Sequence, residues 1–411
     1  MTGDLLRTAW NAVAMLAAIL TLAGSLELLV LSLAALYPAR RSRSNPDRSP
    51  WSVGVVVPAH NEALSVASCV HSLVRAEKGD MQVDIFVIAD NCTDGTASIA
   101  AAAGAQVLER VDPSQRGKGY ALNFAFTHER LAGCDCVLIV DADTEVAENF
   151  ITAAAGAMRD GEAAVQSRYL VRNVDDSVRT RLMGLALRAF NVVRPLGREH
   201  LGLSAGILGN GFGLTRETLC AVPYLASSVV EDLEYHLSLV RSGRRVAFLN
   251  ETTVCGEMPV KGPAVDTQRS RWEGGRLRML VEHSPKLLLD VLSGKLRCAE
   301  PLLELLLLPL AFHATLLLVA VLAPLPLVRD IGLAGLAIVA LHLLAAILVG
   351  GGSWRDVGTL AFAPLYIAWK LIMIPSLVRN ARSSHAWVRT GRKSEQFAPV
   401  NTPNEETGHQ R

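Results

Sequence analysis

The run Cys136-Val137-Leu138-Ile139-Val140 ends in Asp141-Ala142-Asp143-Thr144, and no other stretch restricts the possible fold as much. An unbroken apolar run rich in β-branched residues reads as a strand covered on both faces, the environment of a parallel sheet. Ligands of open parallel sheets bind beyond the carboxyl ends of the strands, and two acids stand at that end here. Side chains at i and i+2 of a strand share a face, so Asp141 and Asp143 can reach one object. Two hard oxygen ligands with room left over suit a divalent cation that also holds a substrate's phosphates. The plainer reading is a turn whose acids lead into a helix from Glu148.

The pattern recurs on either side. Residues 53–58 read as a strand followed by a helix over 62–75, residues 83–89 as a strand followed by a helix over 96–103, and 107–108 as a short strand before a helix over 118–130. This alternation makes an α/β domain with a mostly parallel sheet and helices on both faces. Polar clusters close the strands: Pro58-Ala59-His60-Asn61-Glu62 after the first, and Asp90-Asn91-Cys92-Thr93-Asp94-Gly95-Thr96 after the second. Asp94, Gly95 and Thr96 also suit an ordinary turn and helix cap. Asp90 terminates its apolar strand as Asp141 does. In Arg116-Gly117-Lys118-Gly119 the glycines let backbone approach a ligand and Lys118 can meet a phosphate, although the spacing is not that of a P-loop.

The chain of 411 residues is 50% hydrophobic with a net charge of +1, a balance that excludes a nucleic-acid binder needing a basic domain. Seven scattered cysteines without a metal-type pair fit a reducing compartment. Residues 9–36 carry a single charge, Glu27, and are long enough to cross a bilayer. Glu27 is expected to snorkel or to pair with another helix. Arg40, Arg41, Arg43 and Arg48 follow that segment, which places the linker and the domain beyond it in the cytoplasm by the positive-inside rule. Three apolar stretches occupy 302–327, 331–349 and 357–378, the first interrupted by Pro309, Pro324 and Pro326. The expected organisation is a transmembrane helix at 1–37, a basic linker at 38–50, a cytoplasmic α/β domain at 51–260, helices along the membrane surface within 261–300, a membrane region at 301–379 and a polar tail at 380–411.

The ordered set Val-Pro-Ala-His-Asn-Glu, Ala-Asp-Asn-Cys-Thr-Asp-Gly-Thr, Arg-Gly-Lys-Gly-Tyr-Ala-Leu-Asn and Asp-Ala-Asp resembles family 2 glycosyltransferases of GT-A fold. Val230-Glu231-Asp232 is similar to that family's Thr/Ser-Glu-Asp segment, with Val230 where a hydroxyl residue is usual. Gln268-Arg269-Ser270-Arg271-Trp272 resembles the Gln-x-x-Arg-Trp signature of its membrane-integrated branch, which includes synthases of cellulose, hyaluronan and poly-N-acetylglucosamine and ceramide glucosyltransferase. The matches run over residues 53–272.

The resemblance implies a Rossmann-like GT-A domain flanked by transmembrane helices in the inner cell membrane, with a nucleotide-sugar donor, UDP-linked in the first instance. It implies Mg²⁺ or Mn²⁺ on Asp141 and Asp143. Donor contacts are expected from Pro58, Glu62, Asp90, Lys118, Asp141, Gln268, Arg271 and Trp272, and acceptor contacts from Asn210, Gly211, Glu231 and Trp272. Asp232 is the implied general base, since an alcohol is a poor nucleophile at neutral pH; its plainer reading is a helix N-cap. The acceptor is a growing polysaccharide or, alternatively, a membrane lipid receiving one sugar. A non-catalytic partner subunit is the reading from another class.

Overall fold

The computed structural model describes the backbone of residues 2–38, 51–226, 228–258, 263–372 and 374, and the side chains of these except 2, 3 and 263–271. The basic linker from residue 39, the side chains of Gln268 and Arg271, and the tail at 380–411 therefore lie outside the described residues.

A long first helix, α1 (Thr2–Leu36), precedes the catalytic domain. Then follow β1 (Ser52–Ala59), α2 (Val66–Arg75), β2 (Gln82–Asp90), α3 (Thr96–Ala102), β3 (Gln106–Arg110), α4 (Lys118–Thr127), α5 (Glu129–Ala132), β4 (Cys136–Ile139) and β5 (Thr144–Val146). The second half of the domain holds α6 (Phe150–Arg159), β6 (Ala164–Val171), α7 (Val178–Arg188), a π-helical turn (Ala189–Val193), α8 (Arg194–His200), β7 (Phe212–Thr215), α9 (Arg216–Ala221), α10 (Glu231–Arg241) and β8 (Val246–Gly256). Beyond it lie α11 (Pro263–Leu292), α12 (Ala299–Leu306), α13 (Leu310–Val321), α14 (Pro326–Leu348), α15 (Trp354–Thr359) and α16 (Ala363–Ile372).

The strands form one sheet in the order β3-β2-β1-β4-β7-β6-β8-β5. It is mixed, where a mostly parallel sheet was expected. β3, β2, β1 and β4 run parallel to one another, but β7 runs antiparallel to β4 and β6, and β5 antiparallel to β8. The parallel half is the half whose strands read as continuous apolar runs. Period-two alternation sorts its side chains onto two cores: Val53, Val55 and Val57 with Leu138 face α2 and α6, whereas Val56, Val137 and Ile139 face α4 and α10.

Two helix boundaries differ from the sequence expectation for local reasons. Residues 62–65 form a turn in which the Glu62 carbonyl accepts from the amides of Ser65 (3.0 Å) and Val66 (2.9 Å), so α2 begins only at Val66. His128 has extended backbone and caps α5 by accepting from the Arg130 amide, which divides the helix expected over 118–130. The surface segment after Trp272 is part of one 30-residue helix, α11.

α1 packs along α8, α13 and α14. Gly197 of α8 is what permits the approach, since a Cβ there would stand 2.3 Å from the Leu31 carbonyl oxygen. Glu27 pairs across this contact with Arg198 at 3.3 Å. Asp4–Leu36 and Pro326–Leu348 are long and apolar enough to cross a membrane, and α12 with α13 forms a pair bent by 75° at Leu307–Pro309 that passes the same test together. The stretch expected over 357–378 is broken within the described residues into α15, a short 3₁₀ turn and α16.

Candidate active site

The carboxyl ends of β1, β2 and β4 meet at one edge of the sheet, and the loops beyond them interlock. Asn61 (φ 55°) and Asn91 (φ 51°) occupy the left-handed region just after β1 and β2, where Asn is among the tolerated residues. The Asn61 side chain accepts from the Thr93 amide at 2.8 Å, the Glu62 amide donates to Thr96 Oγ1 at 2.8 Å, and His60 Nδ1 meets the Asp90 carbonyl at 2.7 Å. Asp90 is held by Arg110 at 2.6 Å, and Asn91 Oδ1 accepts from the Asp112 amide at 2.8 Å. Sequence reasoning missed Arg110. Its signal was a cation ending the short strand beside the one that Asp90 ends.

Asp141 and Asp143 share a site for a different reason from the one the sequence suggested. β4 stops at Ile139, so strand alternation does not align them. They lie in a tight turn in which the Thr144 amide donates to the Asp141 carbonyl at 3.0 Å. Asn210 builds that turn: its Oδ1 accepts from the Asp141 amide at 3.1 Å and its Nδ2 donates to Thr144 Oγ1 at 2.8 Å. Gln166, wholly buried in β6, donates to the Asn210 carbonyl at 2.8 Å and accepts from the Leu208 amide at 2.9 Å. Asn210 and Gly211, expected at the acceptor, thus sit behind the cavity wall, which Gly206 to Gly209 form. Gly211 is the closest-packed position of the loop: a Cβ there would meet Ser167 Oγ at 2.4 Å, and its φ is +68°.

Lys118, at the start of α4, joins the two halves of the site. Its ammonium bonds the Asp141 carboxylate and the Gly209 carbonyl. Burial opposes its charge, but Asp141, Glu231 and Asp232 outweigh that and raise its pKa. Asp232 stands over Gly209, where a Cβ would fall 3.0 Å from Asp232 Oδ2. One Asp232 oxygen accepts from the Leu233 amide at 2.9 Å, an interaction local to the first turn of α10. Burial raises the pKa of both Asp232 and Glu231 above the usual carboxylate range. α11 closes this side: Gly275 lies so near Val230 that a Cβ would approach Cγ1 to 2.7 Å. An apolar Val230 in place of the usual hydroxyl residue fits this contact.

Among the described residues no group of three or more His, Cys, Asp and Glu side chains could hold a metal. Asp141 and Asp143 supply two carboxylates, a donor set that suits Mg²⁺ or Mn²⁺ when substrate phosphate oxygens complete the shell.

The strand ends, Lys118 and the start of α10 open on one cavity of about 1140 Å³. Pro58, Glu62, Asp90, Lys118, Asp141, Asp143, Glu231, Asp232 and Trp272 line it. Its far end runs between helices outside the sheet, past Phe190 and Arg194 to Leu310, Ala314, Val339, Leu343 and Ile367. Nothing in the sequence showed that the catalytic cluster and the apolar helices share one space.

Comparison with known proteins agrees with this architecture. The glycosyl transferase family 2 model matches residues 54–217 and that of glycosyl transferase family group 2 matches residues 136–379. A probable glycosyltransferase, YdaM, of Bacillus subtilis is 24% identical over 57% of this chain and 57% of its own length. Beta-monoglucosyldiacylglycerol synthase of Nostoc is 27% identical over 56% of this chain and 50% of its own. The chain thus spans about half the length of these curated relatives. The mannosyltransferase PcManGT of Pyrobaculum calidifontis, solved with GDP-Man and Mn²⁺, is similar in structure with a TM-score of 0.55, at 18% identity over 92% of this chain and 100% of that one. That likeness is one of fold, and it extends beyond the GT-A sheet to the flanking helices. Since the family-group model spans more than half of its residues, the chain belongs to glycosyl transferase family group 2.

Proposed function

We propose that the protein is a metal-dependent, inverting glycosyltransferase that moves one sugar from a nucleoside-diphosphate sugar to the hydroxyl of a membrane lipid. The observation that carries this reading is the continuity of the cavity, with carboxylates and Lys118 at one end and aliphatic side chains of α13, α14 and α16 at the other. An alcohol with an apolar tail fits both ends. A growing glycan, with hydroxyls along its length, has no match in the aliphatic end.

The chemistry follows from the residues. Asp90, with Arg110 behind it, and the first loop are placed to hold the nucleoside. Mg²⁺ or Mn²⁺ on Asp141 and Asp143 would neutralise charge on the leaving diphosphate. Asp232 takes the proton of the acceptor hydroxyl as its oxygen bonds to the anomeric carbon and the bond from that carbon to the diphosphate breaks. A single displacement of this kind inverts the anomeric configuration. The raised pKa of Asp232 makes it a stronger base than an exposed carboxylate. Support for glycosyl transfer also comes from the relatives, one named a probable glycosyltransferase and another a beta-monoglucosyldiacylglycerol synthase.

The test incubates detergent-purified full-length protein and Mg²⁺ with several UDP-sugars, offering lipid alcohols and oligosaccharides side by side, with products identified by mass and by anomeric NMR coupling. A singly glycosylated lipid of inverted configuration is expected. Asp232→Asn keeps shape and hydrogen bonding and should lower transfer by about 10²- to 10⁴-fold while nucleotide-sugar binding persists. Oligosaccharide extension would replace the lipid reading with polysaccharide synthesis, and normal turnover in Asp232→Asn would leave it as a helix-start residue only.

A further inference from the structure

Between the catalytic cluster and the apolar end of the cavity lies a group that the transfer chemistry does not use. Arg194 is 5% exposed and lines the cavity at the point where the π-helical turn passes into α8. Nothing among the described residues accepts a hydrogen bond from its Nε or Nη1. Its guanidinium lies over the Phe190 ring, 4.6 Å from the centroid. Its neighbours are engaged otherwise: Arg198 pairs with Glu27 and Glu304, each at 3.3 Å, and with Glu300, and Arg276 donates to the Glu304 carbonyl and, at 3.3 Å, to the Leu307 carbonyl. A buried guanidinium that leaves donors unmet is costly, and π-helical turns inside α-helices are frequent at functional sites.

Charge indicates what those donors want. Arg194, Arg198 and Arg276 stand against Glu27, Glu300 and Glu304, three guanidinium groups facing three carboxyl groups in one buried cluster. Burial lowers Arg194 to about 10, which leaves it a cation at neutral pH, and holds His236 in the same cavity uncharged by pushing it down to about 4. An added phosphate would bring its charge up against carboxyl groups that already face these arginines. An uncharged oxygen would satisfy the donors without disturbing the cluster.

We infer that Arg194 is the headgroup-reading residue of the acceptor site, holding a neutral carbonyl oxygen, ester or amide, of a lipid whose hydroxyl reaches Asp232 and whose chain lies along Leu310, Val339, Leu343 and Ile367. The inference rests on the lipid-acceptor reading above and narrows it to neutral acyl lipids. It makes Arg194 a specificity determinant rather than a participant in proton transfer.

The test uses full-length protein in detergent with three probes: dioleoylglycerol, an N-acyl amino alcohol of equal chain length, and the dialkyl ether of glycerol, which lacks the carbonyl. Wild type should prefer one or both acyl probes to the ether by roughly ten- to a hundredfold in kcat/KM, the range of a hydrogen bond to a charged group. In Arg194→Lys and Arg194→Gln that preference should fall toward unity, with KM for the nucleotide sugar and its slow hydrolysis unchanged. Binding of the same probes without nucleotide sugar, followed by thermal shift, judges the inference even if no lipid is glycosylated. Acyl preference in binding with no lipid transfer would sink the acceptor reading alone. Equal binding of acyl and ether probes by wild type, retention of the preference in both variants, or tighter binding of dioleoyl phosphatidic acid would overturn the role of Arg194.

Discussion

Lys118 is the residue on which the polar half of the site turns. Its ammonium joins the Asp141 carboxylate to the Gly209 carbonyl, and so holds the carboxylate turn beside the loop over which Asp232 stands. Asp141 and Asp143 would hold a divalent cation, and Lys118, sharing Asp141 with it, would then be available to the diphosphate. Chelation should therefore abolish transfer, with Mg²⁺ or Mn²⁺ restoring it, and Asp143→Ala should lose transfer at unchanged thermal stability, read by product formation and melting temperature. Full activity in Asp143→Ala would remove the metal assignment. The pH dependence has a definite sign. Asp232 acts as a base only when ionised, and burial raises its pKa, so kcat/KM should rise with pH through a step above the ordinary carboxylate range. A flat profile from pH 5 upward would mean that another group takes the proton.

At the level of elements, function depends on close approaches that only small residues permit. α11 reaches the start of α10 because Gly275 faces Val230, and this contact holds the Glu231-Asp232 turn under the cavity. Gly275→Ala should displace Val230, destabilise the fold by about 1–3 kcal/mol as overpacking does, and lower kcat more than the affinity for nucleotide sugar. Removing the opposing methyls should relieve it, so the double variant Val230→Ala/Gly275→Ala is expected to recover both stability and rate, measured by denaturant unfolding and steady-state kinetics. Failure of the double variant to recover would show that α11 does not position Asp232 through this contact.

At the scale of the whole molecule, two helices and one bent pair are long and apolar enough to cross a membrane. The far ends of the apolar helices gather together, with Trp10 Nε1 donating to the Leu322 carbonyl at 3.3 Å. At the opposite level the catalytic domain meets α1, α15 and α16: His200 meets the Ala34 carbonyl at 2.8 Å, Arg188 pairs with Asp356 at 2.8 Å, and the Arg179 guanidinium lies over the Trp369 ring, 4.2 Å from its centroid. α1, the bent α12–α13 pair and α14 thus each run between the same two levels, while α15 and α16 remain beside the catalytic domain. Taken with the arginines that follow α1, which favour the cytoplasmic side, this predicts a cytoplasmic catalytic domain and C-terminus, with α16 as a non-crossing element. In a cysteine-free background, single cysteines at Asp47, Asp330 and Glu405 probed with an impermeant thiol reagent on intact cells should be labelled at Asp330 alone. Labelling at Glu405 would mean a further crossing after α14.

Much of this was legible in the residues by themselves. A strand buried on both faces must be apolar throughout and must end where polar groups can face solvent or ligand, so β1, β2, β4 and the acids that follow them are written in consecutive residues. Asp90, Asp141, Asp143, Lys118 and Asp232 could be singled out for that reason and for their resemblance to a family. Contacts between distant segments have no such local signature. The antiparallel insertion of β7 between β4 and β6, the role of Asn210 in shaping the Asp141 turn, Arg110 behind Asp90, and Arg194 in the wall between catalytic and apolar space all depend on which segments pack together. Side-chain chemistry determined what each strand end can do. Only packing, which brings together residues far apart in sequence such as Glu27 and Arg198, decided that a polar site and an apolar helix bundle enclose a single cavity.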